Sequence, residues 1–144
     1  MKDYKITIIE ECESTNDFLI SKTKDGIAEG SSILSFKQTK GKGRNNKKWV
    51  SKPGNIFLST VIKPLVNKRT WYQLSLLVGL SIYEALIEIG ISKNNLRIKW
   101  PNDILINYRK VCGILIESFD DFVIIGIGLN VNSHPKKISS AIQA

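Results

Sequence analysis

The chain is organised around the stretch Phe36-Lys37-Gln38-Thr39-Lys40-Gly41-Lys42-Gly43-Arg44-Asn45-Asn46-Lys47-Lys48-Trp49. Continued to Lys52, it holds seven Lys and Arg and no Asp or Glu, in a chain whose net charge is +8. Gly41 and Gly43 let the backbone turn sharply and come close to a ligand. With no apolar periodicity, this basic loop cannot be held by its own packing. It suits a bound polyphosphate or carboxylate, and the alternatives are a solvated charged loop or a nucleic-acid contact.

Strands are predicted on both sides of the basic loop. Residues 5–10 and 31–36 form strands before it, and residues 55–63 form a strand after Pro53-Gly54 ends it. Because residues 55–63 carry apolar side chains on both faces, this strand is expected in the centre of a sheet.

The sequence also predicts two helices. The first begins at Ser14, which acts as the N-cap, and runs to about Lys24. Uncommitted polar groups at this helix start, on Ser14, Thr15 and Asn16, either cap the helix or bind a small polar ligand group.

The second helix, over residues 71–89, has apolar side chains at i, i+3 and i+4 spacing. The predicted core stripe consists of Leu74, Leu77, Val78, Ser81, Ile82, Ala85, Leu86 and Ile89. Since Leu76, Leu80 and Ile87 lie off that stripe, we expect cover on more than one side of the helix.

The second half of the chain predicts antiparallel pairs. Residues 96–100 form a short strand, residues 104–106 and 111–117 form a hairpin turning at 107–109, and residues 122–132 form a last strand. In that strand Gly126, Gly128 and Asn130 share a face, and glycines inside a strand mark close approach of a ligand or another backbone. Strands combined with amphipathic helices predict a mixed α/β fold, and the hairpins argue against an all-parallel sheet.

Length and composition favour one cytoplasmic domain. The chain has 144 residues, of which 42% are hydrophobic, and no apolar run reaches the ~20 residues of a membrane span. Cys12 and Cys112 match no metal or redox spacing and are interpreted as reduced thiols. His134 is the one histidine in the sequence and is interpreted as a loop residue, so no protein metal site is expected.

Four separated motifs together resemble the biotin protein ligases, which attach biotin to carboxylase carrier domains. They are Glu13-Ser14-Thr15-Asn16, Gly41-Lys42-Gly43-Arg44 up to Trp49, Lys99-Trp100-Pro101-Asn102-Asp103, and Lys110-Val111-Cys112-Gly113-Ile114-Leu115 with Gly126-Ile127-Gly128-Leu129-Asn130 following. Their order and spacing fit the family along almost the whole chain. The resemblance implies a mixed, largely antiparallel sheet flanked by helices, related to class II aminoacyl-tRNA synthetases and lipoate ligases.

The resemblance also implies a two-step reaction that uses ATP and Mg²⁺. The carboxylate of biotin attacks the α-phosphate of ATP to give biotinyl-5′-AMP, and a carrier lysine then takes the biotinyl group. The implied partners are biotin and the biotin carboxyl carrier protein of acetyl-CoA carboxylase or a related carboxylase. A homodimer is compatible with the family; DNA and membrane are not expected partners.

Site residues carry over by position in the motifs. Arg44 and Lys110 match the catalytic positions at the biotin carboxyl group and the α-phosphate. Implied biotin contacts are Ser14, Thr15, Asn16, Gln38, Gly41, Arg44, Lys110, Gly113 and Leu115. Implied ATP contacts are Lys42, Gly43, Arg44, Trp49, Asn102, Asp103, Lys110 and Asn130.

This chain departs from the family pattern in two ways. Lys42 and Lys47 stand where arginine is common, which keeps the charge and loses bidentate geometry. Family members continue past the Gly-Leu-Asn motif into the rest of the catalytic layer and a small β-barrel, whereas this sequence ends at Ala144. We therefore expect residues 1–144 to be an incomplete catalytic domain, without an N-terminal helix-turn-helix or a C-terminal barrel.

Other functions stay open on the sequence alone. A lipoate ligase would share the fold and the adenylate chemistry, and an inactive remnant would bind biotin without turnover. A basic module for single-stranded nucleic acid would place Arg44, Lys47 and Lys48 on phosphates and stack Trp49 on a base.

Overall fold

Seven strands form one sheet in the computed structural model, which describes residues 5–132. Their bounds are β1 Ile6–Cys12, β2 Ser32–Gln38, β3 Ile56–Ile62, β4 Leu96–Lys99, β5 Asp103–Ile106, β6 Arg109–Phe119 and β7 Phe122–Leu129. The order is β1-β2-β3-β7-β6-β5-β4, with β1 and β2 parallel and every other pair antiparallel. The predicted mixed, largely antiparallel sheet is confirmed, as is the central position of β3. His134 lies outside the described residues.

The β5–β6 hairpin turns where the sequence predicts. Asn107 and Tyr108 have φ values of 50° and 63°, the left-handed conformation that two-residue hairpin turns require. This turn brings Lys110, at the start of β6, back alongside β5, where Leu105 is its partner.

Two α-helices of the described chain cover opposite faces of the sheet. Helix α1 (Thr15–Thr23) begins after Ser14, whose side chain accepts a hydrogen bond from the Asp17 amide, so the predicted N-cap is confirmed. Helix α1 buries Leu19 against Ile124 of β7. Helix α2 (Leu74–Glu88) packs over β4, β5 and β6, near Ile127, which faces the other way from Ile124.

The predicted core stripe of the second helix is wrong in part. Residues 68–73 form a 3₁₀ helix, and α2 begins only at Leu74. Leu77 and Ile89 are 60% and 76% exposed, and Ser81 and Ala85 are exposed as well, whereas Leu86 is buried. Apolar residues surround nearly the whole helix, so their spacing could not single out the side that meets the sheet. Gly79 is buried on the side of α2 that faces Ile114 of β6 and Ile98 of β4.

Apolar surface stays open on the α2 side of the sheet. The exposed side chains of Leu76, Leu77 and Leu80 form one patch on α2, and Ile6, Ile8 and Phe36 form another on β1 and β2. Strand register places this second patch on the same face of the sheet as α2. The expected cover on more than one side of the helix is therefore absent from the described part of the structure. No helix within residues 5–132 has the length and apolar character to cross a membrane.

Candidate functional site

A small cavity lies on the α1 side of the sheet, between the start of α1, the basic loop and strands β6 and β7. Its volume is about 50 Å³. The predicted site residues that line it are Ser14, Thr15, Asn16, Gln38, Lys42, Gly43, Arg44, Trp49, Asn102, Lys110, Gly113 and Leu115. Motifs that are distant in the sequence thus meet at one place.

Three predicted residues do not line this cavity. Gly41 closes the base of the basic loop, where its carbonyl accepts a hydrogen bond from the Trp49 amide at 2.8 Å. Asp103 forms an ion pair with Lys110. Asn130 follows the end of β7, and its side-chain oxygen accepts a hydrogen bond from Asn55 Nδ2 at 3.3 Å.

A network of mostly buried side chains forms the polar floor of the cavity. We use this name for Thr15, Asn16, Gln38 and Ser59. Gln38 Oε1 accepts hydrogen bonds from Thr15 N at 2.8 Å and Thr15 Oγ1 at 3.0 Å. Ser59 Oγ lies 2.7 Å from Thr15 Oγ1 and 2.6 Å from Asn16 Oδ1, so its single proton is shared between two acceptors. Of the three residues at the helix start, Ser14 is the N-cap, whereas Thr15 and Asn16 form part of the polar floor.

Ser59 was not among the predicted site residues. This side chain is fully buried on the central strand β3, in a segment otherwise rich in apolar residues. A hydroxyl at an inward-facing position of a central strand needs a buried hydrogen-bond partner. This requirement was the signal by which Ser59 could have been found from the sequence.

Trp49 lies flat over β6 and β7. A Cβ added to Gly113 would stand 2.7 Å from Trp49 Cζ3, and one added to Gly128 would stand 2.5 Å from Trp49 Cε2. The glycines therefore mark close approach, as predicted, but the approaching groups are side chains: Trp49 at Gly113 and Gly128, and Asn16 at Gly126. The indole Nε1 is buried and has no hydrogen-bond acceptor among the described residues.

The two predicted catalytic cations reach the cavity from different elements. Lys110 Nζ lies 2.7 Å from Asp103 Oδ1 and 5.4 Å from the centre of the Trp49 ring. Arg44 Nη1 donates to Asn102 Oδ1 at 3.4 Å. Asn102 is itself held to β6, since its Nδ2 donates to the Ile114 carbonyl at 2.8 Å. The exposed guanidinium of Arg44 and the partly exposed ammonium of Lys110 can both meet an anion.

Lys42, predicted as an ATP contact, is paired with carboxylates in this structure. Its Nζ lies 2.5 Å from Asp17 Oδ1 and 3.2 Å from Glu117 Oε1. Burial disfavours the charged ammonium, but hydrogen bonds and charges from Asp17 and Glu117 outweigh that effect and raise the pKa of Lys42. The basic loop is thus anchored by Lys42 and Trp49 to other elements, which its lack of apolar periodicity did not reveal. Glu117 was also missed, because its partner Asn16 is far away in the sequence.

The two cysteines are free thiols, as expected. Cys112 is fully buried in the core under α2, and burial raises the pKa of its thiol to about 12.

Comparison with known proteins places the chain among ligases. The model of the biotin/lipoate A/B protein ligase family matches residues 9–132. The chain is 30% identical over 138 residues to the biotin–[acetyl-CoA-carboxylase] ligase of Mycobacterium tuberculosis, an alignment covering 93% of this chain and 52% of that protein. It is 40% identical over 114 residues to the bifunctional ligase/repressor BirA of Bacillus subtilis, covering 74% of this chain and 34% of the relative.

A solved structure agrees with the sequence relatives. The biotin protein ligase of Aquifex aeolicus in complex with biotin and ATP superposes with a TM-score of 0.82 at 34% identity, covering 93% of this chain and 55% of that chain. The present chain thus spans between about a third and about half of the relatives' length. Since the family model matches most of the sequence and the fold agrees, the chain belongs to the biotin/lipoate A/B protein ligase family.

Proposed function

We propose that this chain carries the biotin-activating site of a biotin–[acetyl-CoA-carboxylase] ligase. The observation that carries the proposal is the convergence of Arg44 and Lys110 on one cavity with a buried polar floor. A substrate with a neutral polar head and a carboxylate tail matches a pocket with hydroxyl and amide groups at one end and two cations at the other. Solved relatives hold biotin with ATP, and biotinyl-5-AMP.

The first step joins two anions. A carboxylate oxygen of biotin attacks the α-phosphorus of ATP, a P–O bond forms, and the bond to pyrophosphate breaks to give biotinyl-5′-AMP. Lys110 and Arg44 offset the negative charge that gathers around the phosphorus atom. Asp103 orients the Lys110 ammonium, and Asn102 restrains the Arg44 guanidinium while leaving its other N–H groups free to meet oxygen atoms.

In the second step the ε-amine of a carrier lysine attacks the carbonyl carbon of the mixed anhydride. An amide bond forms, AMP leaves, and the amine loses its proton to solvent. Trp49 covers the cavity and would keep water from the anhydride. The residues proposed for the two steps are the biotin and ATP contacts named from the motifs; Lys42, Gly41 and Asn130 would contribute through the loop and the strand end.

Ligand entry requires the indole of Trp49 or the whole basic loop to move. A cavity of about 50 Å³ is far below the roughly 300–1,000 Å³ of ligand pockets. Trp49 fills the space over Gly113 and Gly128, so the indole or the whole loop must shift before biotin can lie on the polar floor. We infer that the structure shows the site closed.

Mg²⁺ is the proposed metal ion of the first step. Within residues 5–132 no group of three or more His, Cys, Asp and Glu side chains could hold a metal ion, and the Asp103 carboxylate faces Lys110. We propose that Mg²⁺ arrives with the phosphates of ATP, which is usual for this ion. A carrier from acetyl-CoA carboxylase is the proposed partner; the homodimer, the cytoplasmic location and the incomplete catalytic domain stay predictions.

Calorimetry with biotin, with and without ATP, tests the proposal directly. We expect weak biotin binding by the chain of 144 residues, strengthened by ATP. Pyrophosphate release with biotin and with lipoate separates the two ligase classes, because only the true substrate supports it. Absence of biotin binding at millimolar concentration by a chain with folded circular dichroism would contradict the proposal; binding without pyrophosphate release would identify an inactive remnant.

A further inference from the structure

Glu117 connects two parts of the site through the two oxygens of one carboxylate. Its Oε2 accepts a hydrogen bond from Asn16 Nδ2 at 2.7 Å, and its Oε1 lies 3.2 Å from Lys42 Nζ. Asn16 belongs to the polar floor and Lys42 to the basic loop. Floor and loop therefore share one anchor on β6.

On the floor, Glu117 determines how the amide of Asn16 is oriented. Asn16 is 3% exposed, and its Oδ1 accepts from Ser59 Oγ at 2.6 Å. Because Nδ2 faces a carboxylate and Oδ1 faces a hydroxyl, a flipped amide would place oxygen against oxygen at Glu117. Oδ1 also lies against Gly126, where an added Cβ would stand only 2.3 Å away, so the amide packs closely on the backbone of β7.

At the loop, Glu117 holds the ammonium of Lys42 together with Asp17. Lys42 forms a β-bridge with Lys48, so fixing Lys42 fixes both arms of the loop. Asp17 is 47% exposed, and an exposed lysine–carboxylate pair by itself stabilises a structure little. Glu117 is only 28% exposed and is already immobilised by the buried Asn16, which makes it the firmer of the two anchors.

We propose that Glu117 is a positioning residue that orients Asn16 for the ligand and clamps the basic loop through Lys42, so that ligand binding and loop closure are coupled. Glu117 does not line the small cavity and acts through its two partners. Its negative charge also disfavours an anionic ligand group near Asn16, which directs the carboxylate of the ligand toward Arg44 and Lys110. This inference rests on the proposed function.

The test compares variants that break one contact or both. Glu117→Gln keeps the shape, replaces the charged acceptor of the Asn16 amide with a weaker, neutral one and removes the charge that holds Lys42. It should therefore weaken biotin binding about tenfold or more and speed trypsin cleavage after Arg44 and Lys47. Asp17→Asn removes the other carboxylate that pairs with Lys42 and leaves the Glu117–Asn16 contact in place, so it should speed cleavage with a smaller change in affinity. In assays of adenylate formation, Glu117→Gln should raise KM for biotin and leave kcat nearly unchanged.

A double-mutant comparison separates the two roles of the carboxylate. In a Lys42→Met chain, Glu117→Gln should no longer alter cleavage after Arg44, yet should still weaken biotin binding through Asn16. If Glu117→Gln matches the unmodified protein in cleavage, affinity and KM, the inference is wrong. If Glu117→Gln does not fold, Asp17→Asn and Lys42→Met still test the clamp, and unchanged cleavage after Arg44 and Lys47 in both overturns it. If even the unmodified chain binds no biotin, the proposed function fails, while the cleavage experiment still decides the clamp.

Discussion

Trp49 lies so close to Gly128 that a Cβ on this glycine would stand 2.5 Å from Cε2 of the indole. Gly128 pairs with Gly113 across β6 and β7, and Gly113 meets the same ring. Two paired glycines therefore form a flat seat for one aromatic side chain.

Gly128→Ala should displace Trp49. A contact of 2.5 Å is too short for carbon atoms, whose optimal separation is about 3.5–4.0 Å, so the indole must leave its seat. Because the displaced indole can no longer close over bound biotin, we expect biotin binding to weaken about tenfold, measured by calorimetry, with a shift in tryptophan fluorescence.

Gly79→Ala is the matched control. A Cβ at this position would be 3.6 Å from Ile114 Cδ1, an ordinary contact. Alanine in a helix interior is about 0.5–1 kcal/mol more favourable than glycine, so unfolding stability should stay equal or rise while biotin affinity stays unchanged. Equal biotin affinity in Gly128→Ala and Gly79→Ala would show that the seat is irrelevant to binding.

Arg44 and Lys110 should affect different steps of the reaction. Arg44→Gly should loosen retention of the adenylate more than it slows its synthesis, because Arg44 lies on the exposed loop. Lys110→Ala should slow synthesis, because its charge acts as the phosphorus is attacked. Losing one charge-assisted contact costs about 1.5–3 kcal/mol, or roughly tenfold to a hundredfold. Single-turnover kinetics measure both steps, and the reverse pattern would show the roles to be exchanged.

Stability should fall at high pH through Cys112. The buried thiol has a pKa of about 12, against 9.0 for an unperturbed thiol. Above pH 9 the unfolded chain therefore loses this proton while the folded chain keeps it, and folding stability declines until the folded thiol also ionises. Between pH 8 and pH 10 the loss should be about 1 kcal/mol, measured by urea unfolding.

Cys112→Ala removes that titration and is the control for it. Its free energy of unfolding should be lower overall, since a buried side chain is truncated, but should lack the extra decline above pH 9. Identical pH profiles in the two proteins would contradict the assignment.

The exposed leucines of α2 should make the chain self-associate. Leu77 and Leu80 are 60% and 46% exposed, and apolar surface left in water costs about 25 cal/mol per Å². Leu77→Gln combined with Leu80→Gln should reduce association in sedimentation experiments and change unfolding stability by only about 0.5 kcal/mol.

Leu86 on the buried side of the same helix provides the contrast. Leu86→Ala should cost about 2–5 kcal/mol and leave association undiminished. Equal association before and after the double substitution on the exposed side would show that another surface is responsible.

The sequence predicted correctly those features that depend on neighbouring residues alone. Ser14 capped the helix, Asn107 and Tyr108 formed the turn, and the glycines of β7 indicated close approach. It did not predict contacts between residues that are far apart in the sequence. It also could not choose between apolar residues on different sides of one helix. Leu77 and Leu86 are both apolar, and only the sheet decides which of them is buried.

The pairing of charged residues in the site also could not be predicted from the sequence. The basic loop was identified as a site because its composition is local, and the motif resemblance brought in Arg44 and Lys110. The pairing of Lys42 with Glu117 depends on how β6 lies against the loop, which no spacing in the sequence encodes. The same holds for the indole of Trp49 on its two glycines.

The position of β7 in the sheet has a consequence for synthesis of the protein. β7 is the last strand of residues 5–132, yet it lies between β3 and β6. β3 ends at Ile62 and β7 begins at Phe122, so a nascent chain on the ribosome must carry β3 with one edge unpaired until the end of β7 emerges. An unpaired edge invites pairing with other chains, and such long-range strand pairing is slow to form. Chaperone demand during translation should therefore peak just before Leu129 leaves the exit tunnel.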